Sequence, residues 1–306
     1  MMTNNTGEDS LEGKMDDWGP FGPHEGEWLI FSVGNPEEGH GYALPRGMDD
    51  YAAKEIAHRV MMKTGQRHAG HIPYATDVWG DIARDWSPRY VPMEKFIAKM
   101  KEYIRMHLDM YADMGLPLTK VAIISSHGGN DEFVQFKDEI QQELGLDKLV
   151  IFTGASAAGK IDLVLQKIEE LAEKYAKEGE DPDDLAFLYT QILTTIAHAE
   201  HFEHSIAAAI GVLDWDKLAI MNAELEANFD EAIQKWPVIG GLGGYLLRGG
   251  AFADAVGTPE ENKRGHWNCL RGLRELDRGK VVVRKELGEM FIDLAVDFIA
   301  EQLKED

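Results

Sequence analysis

The sequence predicts a single α/β domain in three layers, α/β/α, around a doubly wound and mostly parallel sheet. Three observations predict it. Brief apolar runs rich in β-branched residues recur along the chain, amphipathic stretches of helical period separate them, and no internal repeat or low-complexity linker interrupts the alternation.

Residues 1–25 are polar and acidic and read as an N-terminal arm ahead of a domain spanning 26–306. The first strand is expected in EWLIFSV (27–33), followed by a helix over roughly 50–64 and a long loop over 72–92. A helix over 93–114 leads to a second strand, KVAIISS (120–126), and then a helix over 131–144, with Asn130 placed as its cap. KLVIFTG (148–154) is the next strand; helices over 160–178 and 185–212 follow, divided by the acidic loop KEGEDPDD (177–184). VIGGLGGYLLRGG (238–250) carries too many glycines for a helix and reads as an irregular loop. GKVVVRK (279–285) is expected as a last strand before a helix over 285–304.

Charge narrows the partners. With 54 acidic and 31 basic residues among 306, the net charge is −23, which repels nucleic acid and anionic membrane over most of the surface. Cys269 is the only cysteine, so an intrachain disulfide and a thiolate zinc site are both excluded. The polar N-terminus lacks the apolar core of a secretory signal, and no run approaches the ~20 apolar residues of a membrane span. The expectation is a cytoplasmic protein with a small-molecule partner, no nucleic acid and no membrane.

In open sheets of this kind, sites form beyond the carboxyl ends of the strands. Behind the first expected strand, GNPEEGHGYALPRGMDD places Glu38, His40 and Asp49 in a loop stiffened by Pro and Gly; carboxylate, imidazole and carboxylate suit a divalent ion. The strand at 120–126 ends in SSHGGND, where His127 points into the crevice and Gly128 and Gly129 allow a tight turn. The densest cluster is HAEHFEHS (198–205), with three histidines and two glutamates between His198 and His204. It is open to two readings, a solvated polar helix or one wall of a metal or proton-transfer site.

These segments, taken together and in this order, resemble the creatininase (creatinine amidohydrolase) family over roughly residues 27–304. His40 and Asp49 reproduce its Glu-x-His pair followed nine residues later by an Asp, SSHGGN resembles its His-Gly-Gly-Asn element, and HAEHFEHS its His-Ala-Gly-x-x-Glu-Thr-Ser segment. The resemblance implies two divalent ions, zinc, manganese or iron: Glu38 and His127 on one, His40 and Glu203 on the other, Asp49 bridging them, and His198 as the catalytic proton-transfer group. It also implies attack of a metal-bridged hydroxide on a carbonyl of a small polar ring, in a homo-oligomer of up to six chains. The ring would be a cyclic amide or imide, or a cyclic 1,3-diketone opened by C–C cleavage, such as an oxidised inositol of the 3-dehydro-scyllo-inosose type.

This chain departs from that pattern in several places. Gly129 stands where members close to creatininase carry a glutamate, so the carboxylate of the second ion is assigned to Glu203. Glu200 replaces a Gly and His204 a Thr, which makes Glu200, His201 and His204 candidates for substrate contacts, with solvated helix positions as the alternative. The loop IPYATDVWGDIARDWSPRYVP (72–92) is longer than in relatives; its Asp77, Trp79, Asp81, Asp85, Trp86 and Arg89 suit a substrate-selecting lid or a subunit contact, with Trp79, Trp86 and Asn130 added to the substrate-binding candidates. On a regular helix His198 and Glu203 stand about 140° apart, so both can serve one site only if His198 lies at or before the helix start.

Two other classes compete. GASAAGK (154–160) fits the Gly-x4-Gly-Lys core of a phosphate-binding loop, but Ile161 stands where magnesium binding needs Ser or Thr. A non-catalytic binding protein on the same fold would keep the ligands and misplace the proton-transfer group. A His-Glu-x-x-His peptidase is excluded because the motif is absent. GAFADAVGTPEENKRGHW (250–267) offers His266 or Trp267 as a cover for the pocket.

Overall fold

A computed structural model of the chain describes residues 26–78, 87–154, 156, 160–194, 198–228, 231–232, 235 and 280–304. Four strands, β1 (Trp28–Val33), β2 (Arg67–Ile72), β3 (Lys120–Ser125) and β4 (Lys148–Phe152), form one sheet in the order β2, β1, β3, β4. Every pairing is parallel. β1 is central and buried along its whole length, which is what a continuous apolar run covered on both faces requires.

Alternation along the strands divides the core. Ile30 joins Ala122, Ile124, Val150 and Phe152 on one face, while Leu29, Phe31 and Val33 join Val121, Ile123, Leu149 and Ile151 on the other. Each fully buried Leu, Ile, Val or Phe among these contributes about 1.5–3 kcal/mol. The first face is covered by α1 (Met48–Thr64), α6 (His201–Ala209), α7 (Trp215–Ala227) and α8 (Lys285–Gln302). The second is covered by α2 (Met93–Asp113) and α3 (Lys137–Leu144); α2 presents Phe96, Ile97, Met100 and Ile104 at helical spacing. α4 (Ile161–Tyr175) and α5 (Pro182–Thr194) pack beside α8 around Val164, Ile168, Tyr189 and Leu287.

Because α1 and α2 lie on opposite faces and the chain runs from β1 out to β2 and then back past it to β3, the winding reverses between β1 and β3. A crevice opens at such a switch point, beyond the carboxyl ends of the two strands. Salt bridges tie α1 to α8 on the outside: Arg59 reaches Glu289 at 2.6 Å and Asp293 at 3.1 Å, and Lys63 pairs with Asp297.

Several sequence expectations are corrected. Residues 280–284 join no strand among the described residues, and helix side chains take backbone groups of Val281, Val282 and Arg284. Val281 N–H donates to Asn222 Oδ1 at 2.8 Å and its carbonyl accepts from Asn222 Nδ2 at 3.0 Å, while Val282 N–H donates to His201 Nδ1 and Arg284 N–H to Ser205 Oγ. The expected helix over 185–212 is two helices, α5 and α6. The expected helix over 131–144 begins instead as a 3-10 segment, Gly128–Phe136, with His127 at its N-terminal boundary and no side-chain cap, so Asn130 does not cap it. β2 and α7 are additions. No helix among the described residues is long and apolar enough to cross a membrane. The arm, the glycine-rich loop at 238–250, Cys269, His266 and Trp267 lie outside the described residues.

Candidate metal centre

Local backbone chemistry brings the first ligands together. A β-carbon on Gly34, just past β1, would lie 2.4 Å from Asp50 N and 2.6 Å from Asp49 C, so only glycine lets the first turn of α1 press against the strand end. Gly47 precedes α1 in the left-handed conformation (φ 66°), and its N–H donates to Glu38 O at 2.8 Å. That bond folds the loop so that Asp49, at the helix N-terminus where negative charge is favoured, faces Glu38 and His40. β3, paired in register with β1, delivers His127 from the other side.

Three overlapping groups of donor atoms result: Glu38, Asp49 and His127; His40, Asp49 and Glu203; and Glu38, His40 and His198. His127 Nδ1 lies 2.8 Å from Glu38 Oε2 and 2.9 Å from Asp49 Oδ2. His40 Nε2 lies 3.3 Å from Asp49 Oδ1 and 4.0 Å from Glu203 Oε2. His198 Nδ1 stands 3.3 Å from Glu38 Oε1 while its Nε2 meets Gly39 O at 2.8 Å. The donors are carboxylate oxygens and imidazole nitrogens, the set that zinc, manganese and iron accept. Glu38 Oε2 and His40 Nε2 are enclosed, yet their near neighbours are out of line for a hydrogen bond, so the donor set fits a cation.

Electrostatics point the same way. Burial raises Glu38 to about 8, opposed by His127 and reinforced by Asp49. His40 is held at about 10: burial pulls it down, but the charges of Asp49, Glu203 and Glu38 outweigh this. His127 stands well above its usual value, burial again being outweighed, here by Glu38, Asp49 and Asp77. Burial acts against Asp49, yet His40 and His127 hold it well below the usual carboxylate range. Protons on His40 and His127 supply the positive charge that this buried cluster of carboxylates needs.

The third wall is the turn before α6. Ala199 is the one non-glycine residue with positive φ (52°) among those described, a strained conformation for a residue with a β-carbon. It aims its own N–H at Glu203 Oε2, fixing that carboxylate toward His40. Glu200 is the N-cap of α6, accepting from Phe202 N–H at 2.6 Å and Glu203 N–H at 3.1 Å. His198 therefore precedes the helix, the condition under which it and Glu203 can face one site. Burial, then the charge of His40, pushes His198 down to about 3, so at neutral pH it is a neutral base and not the near-neutral titrating group that its residue type suggests.

The remaining candidates have different fates. Glu200, His201 and His204 are buried, not solvated. Glu200 is spent as a cap. His201 Nδ1 accepts from Val282 N–H, which makes it a clamp on the segment before α8. His204 Nδ1 meets Glu200 O at 2.9 Å, and its Nε2 is enclosed without a hydrogen bond. Asn130, fully buried, accepts from Thr76 N–H at 3.0 Å and donates to Gly34 O at 3.1 Å, so its amide ties loops together. Trp79, Asp81, Asp85 and Trp86 lie outside the described residues, as does much of 154–160. Lys160 Nζ sits over the Phe298 ring, 5.6 Å from its centroid.

Asn35 is an addition. Its Nδ2 donates to Ser87 Oγ at 2.7 Å and lies 3.4 Å from His127 Nε2, and the sequence signals it only as part of a turn-forming Gly-Asn-Pro. Asp77 lies 3.7 Å from the same nitrogen.

No family model matches the sequence, and no curated protein matches it. Solved structures do. A tryptophan-to-phenylalanine variant of creatininase superposes with a TM-score of 0.50 at 15% identity, covering 91% of this chain and 91% of that one. A glutamate-to-glutamine variant of creatininase, described as of Zn-Zn type, gives a TM-score of 0.50 at 15% identity, covering 91% of this chain and 90% of that one. The chain has the creatininase fold.

Proposed function

We propose that this chain is a metal-dependent hydrolase of the amidohydrolase kind, opening a small polar ring at a carbonyl. One observation carries the reading: two groups of donors, Glu38 with His127 and His40 with Glu203, share Asp49 in a buried crevice at the switch point of the sheet. Glu38, Asp49 and His127 would hold one divalent ion, and His40, Asp49 and Glu203 a second. Bound there, the ions would supply Lewis acidity toward a carbonyl oxygen and lower the pKa of water.

The chain's own residues supply the rest. Glu38, Asp49 and Glu203 compensate cationic charge in a site where burial magnifies it. His198 donates Nε2–H to Gly39 O, which leaves Nδ1, 3.3 Å from Glu38 Oε1, as the nitrogen that would relay a proton between the attacking water and the leaving atom. That atom is nitrogen if the ring is a cyclic amide or imide, and carbon if it is a cyclic 1,3-diketone. The acidic surface leaves a small neutral or cationic substrate favoured over an anionic one.

The test is zinc and manganese titration of the chelator-treated chain, followed by a screen of cyclic amides, imides and 1,3-diketones for metal-dependent ring opening. Near two ions per chain with turnover of one substrate class is expected; absence of metal binding would remove the reading altogether.

A further inference from the structure

We propose that Asp77 is the positioning residue for His127, acting through the ring nitrogen that faces away from the candidate ions; the inference rests on the metal-site reading above. The two nitrogens of His127 meet different surroundings. Nδ1 is the atom beside Glu38 and Asp49, whereas Nε2 lies 3.7 Å from Asp77 Oδ2 and 3.4 Å from Asn35 Nδ2. A neutral imidazole that ligates through Nδ1 keeps its proton on Nε2, and that N–H needs an acceptor.

Asn35 cannot provide one. Its Oδ1 accepts from Glu37 N–H at 3.3 Å, and its Nδ2, which donates to Ser87 Oγ at 2.7 Å, can bond His127 Nε2 at 3.4 Å only as a donor, in the tautomer that carries its proton on Nδ1; with Nδ1 ligating and the proton on Nε2, that bond is lost. Among the described residues, the acceptor on that side is the Asp77 carboxylate. At 3.7 Å the carboxylate meets the neutral ring as a charge facing the N–H dipole and not as a direct hydrogen bond, but the Asp77 side chain is only 1% exposed, so little water screens it.

The arrangement is built into the backbone. Thr76 N–H donates to Asn130 Oδ1 and Val78 N–H to Gly129 O, each at 3.0 Å, so both chain neighbours of Asp77 are fastened to the turn that carries His127. A β-carbon on Gly129 would lie 2.3 Å from His127 Nε2 and 2.9 Å from Asp77 Cγ. The glycine thus leaves the volume in which ring and carboxylate meet. Asp77 belongs to none of the three donor groups, which makes it a positioning residue and not a ligand.

The experiment compares native chain, Asp77→Ala and the near-isosteric Asp77→Asn, with folding checked by circular dichroism. Zinc affinities are measured by chelator competition, and the His127 tautomer by long-range proton–nitrogen NMR of histidine-labelled protein. Asp77→Ala should weaken one of two ions by about 10–100-fold, the usual worth of such a partner. It should spare the other and lower the Nε2–H share of His127; Asp77→Asn, which keeps an acceptor without the charge, should fall between. Two unchanged affinities and an unchanged His127 spectrum would overturn the inference alone. A native chain that binds no zinc would overturn the metal-site reading and this inference with it.

Discussion

His40 and Asp49 meet beyond the end of β1, Nε2 to Oδ1 at 3.3 Å, with Asp49 carried on the first turn of α1 and His40 on the loop before it. Asp49 also lies 2.9 Å from His127 through its other oxygen, so one carboxylate addresses both histidines. Asp49→Ala should therefore lower metal content from near two ions per chain to near none by elemental analysis. Full retention would contradict a shared ligand.

His198 belongs to a donor group with Glu38 and His40 as well as being the neutral base. His198→Asn separates the two roles. Metal content unchanged with kcat lowered by about 10²–10⁴ is expected of a general base. Loss of an ion would make it a ligand instead.

Metal-free stability should fall as pH rises from about 7 to about 10. His40 has its folded value raised to about 10, so its contribution is fully present below its unfolded value near 6.5 and is lost as pH passes through 10. Glu38, raised to about 8, acts in the same direction, since the folded chain again binds the extra proton. His198 and His204, depressed to about 3 and about 4, act oppositely but only below their unfolded values near 6.5, outside this window. Calorimetry with chelator present should show the decline, and zinc affinity should rise across the same range as the competing protons leave.

Ala199→Gly should change stability by less than about 1 kcal/mol, since strain relieved at φ 52° is offset by the freer unfolded chain. Ala199→Val should cost more than that and weaken binding of one ion, because the N–H that holds Glu203 would turn away. Urea unfolding and chelator competition on the two variants check this; equal behaviour would mean the turn does not hold Glu203.

Asn222→Ala should cost about 1–3 kcal/mol by leaving the Val281 N–H and carbonyl unsatisfied. Chemical denaturation measures it. A loss within a few tenths would mean water replaces the amide.

The strands that carry the site were legible because β1, β3 and β4 are short, mostly apolar runs, and Glu38, His40 and His127 lie in the loops that follow β1 and β3. β2 was not: RHAGHI shows no apolar pattern, because His68 and His71 turn toward Ser32 of β1 at 3.2 and 3.0 Å and so hydrogen-bond where a strand would ordinarily pack. The run at 279–285 has the β-branched composition of a strand, but Asn222, His201 and Ser205 offer its backbone partners at a distance in sequence that no local pattern reveals. The cluster at 198–204 was conspicuous by composition, yet its division into base, cap, ligand and clamp depends on where α6 starts, which rests on the conformation of Ala199. Asp77 was visible only as one acid among several in a long loop.

The contact between α6 and α8 ties one wall of the candidate metal centre to a helix distant in sequence. A β-carbon on Gly288 would lie 2.2 Å from Ser205 O, so the two helices touch backbone to backbone, and Glu203 sits on the helix so gripped. α8 also packs on α1, which carries Asp49, and helps cover the sheet face beneath it. Loosening α8 would therefore loosen the Asp49 wall and the Glu203 wall together, so the two halves of the crevice share one support.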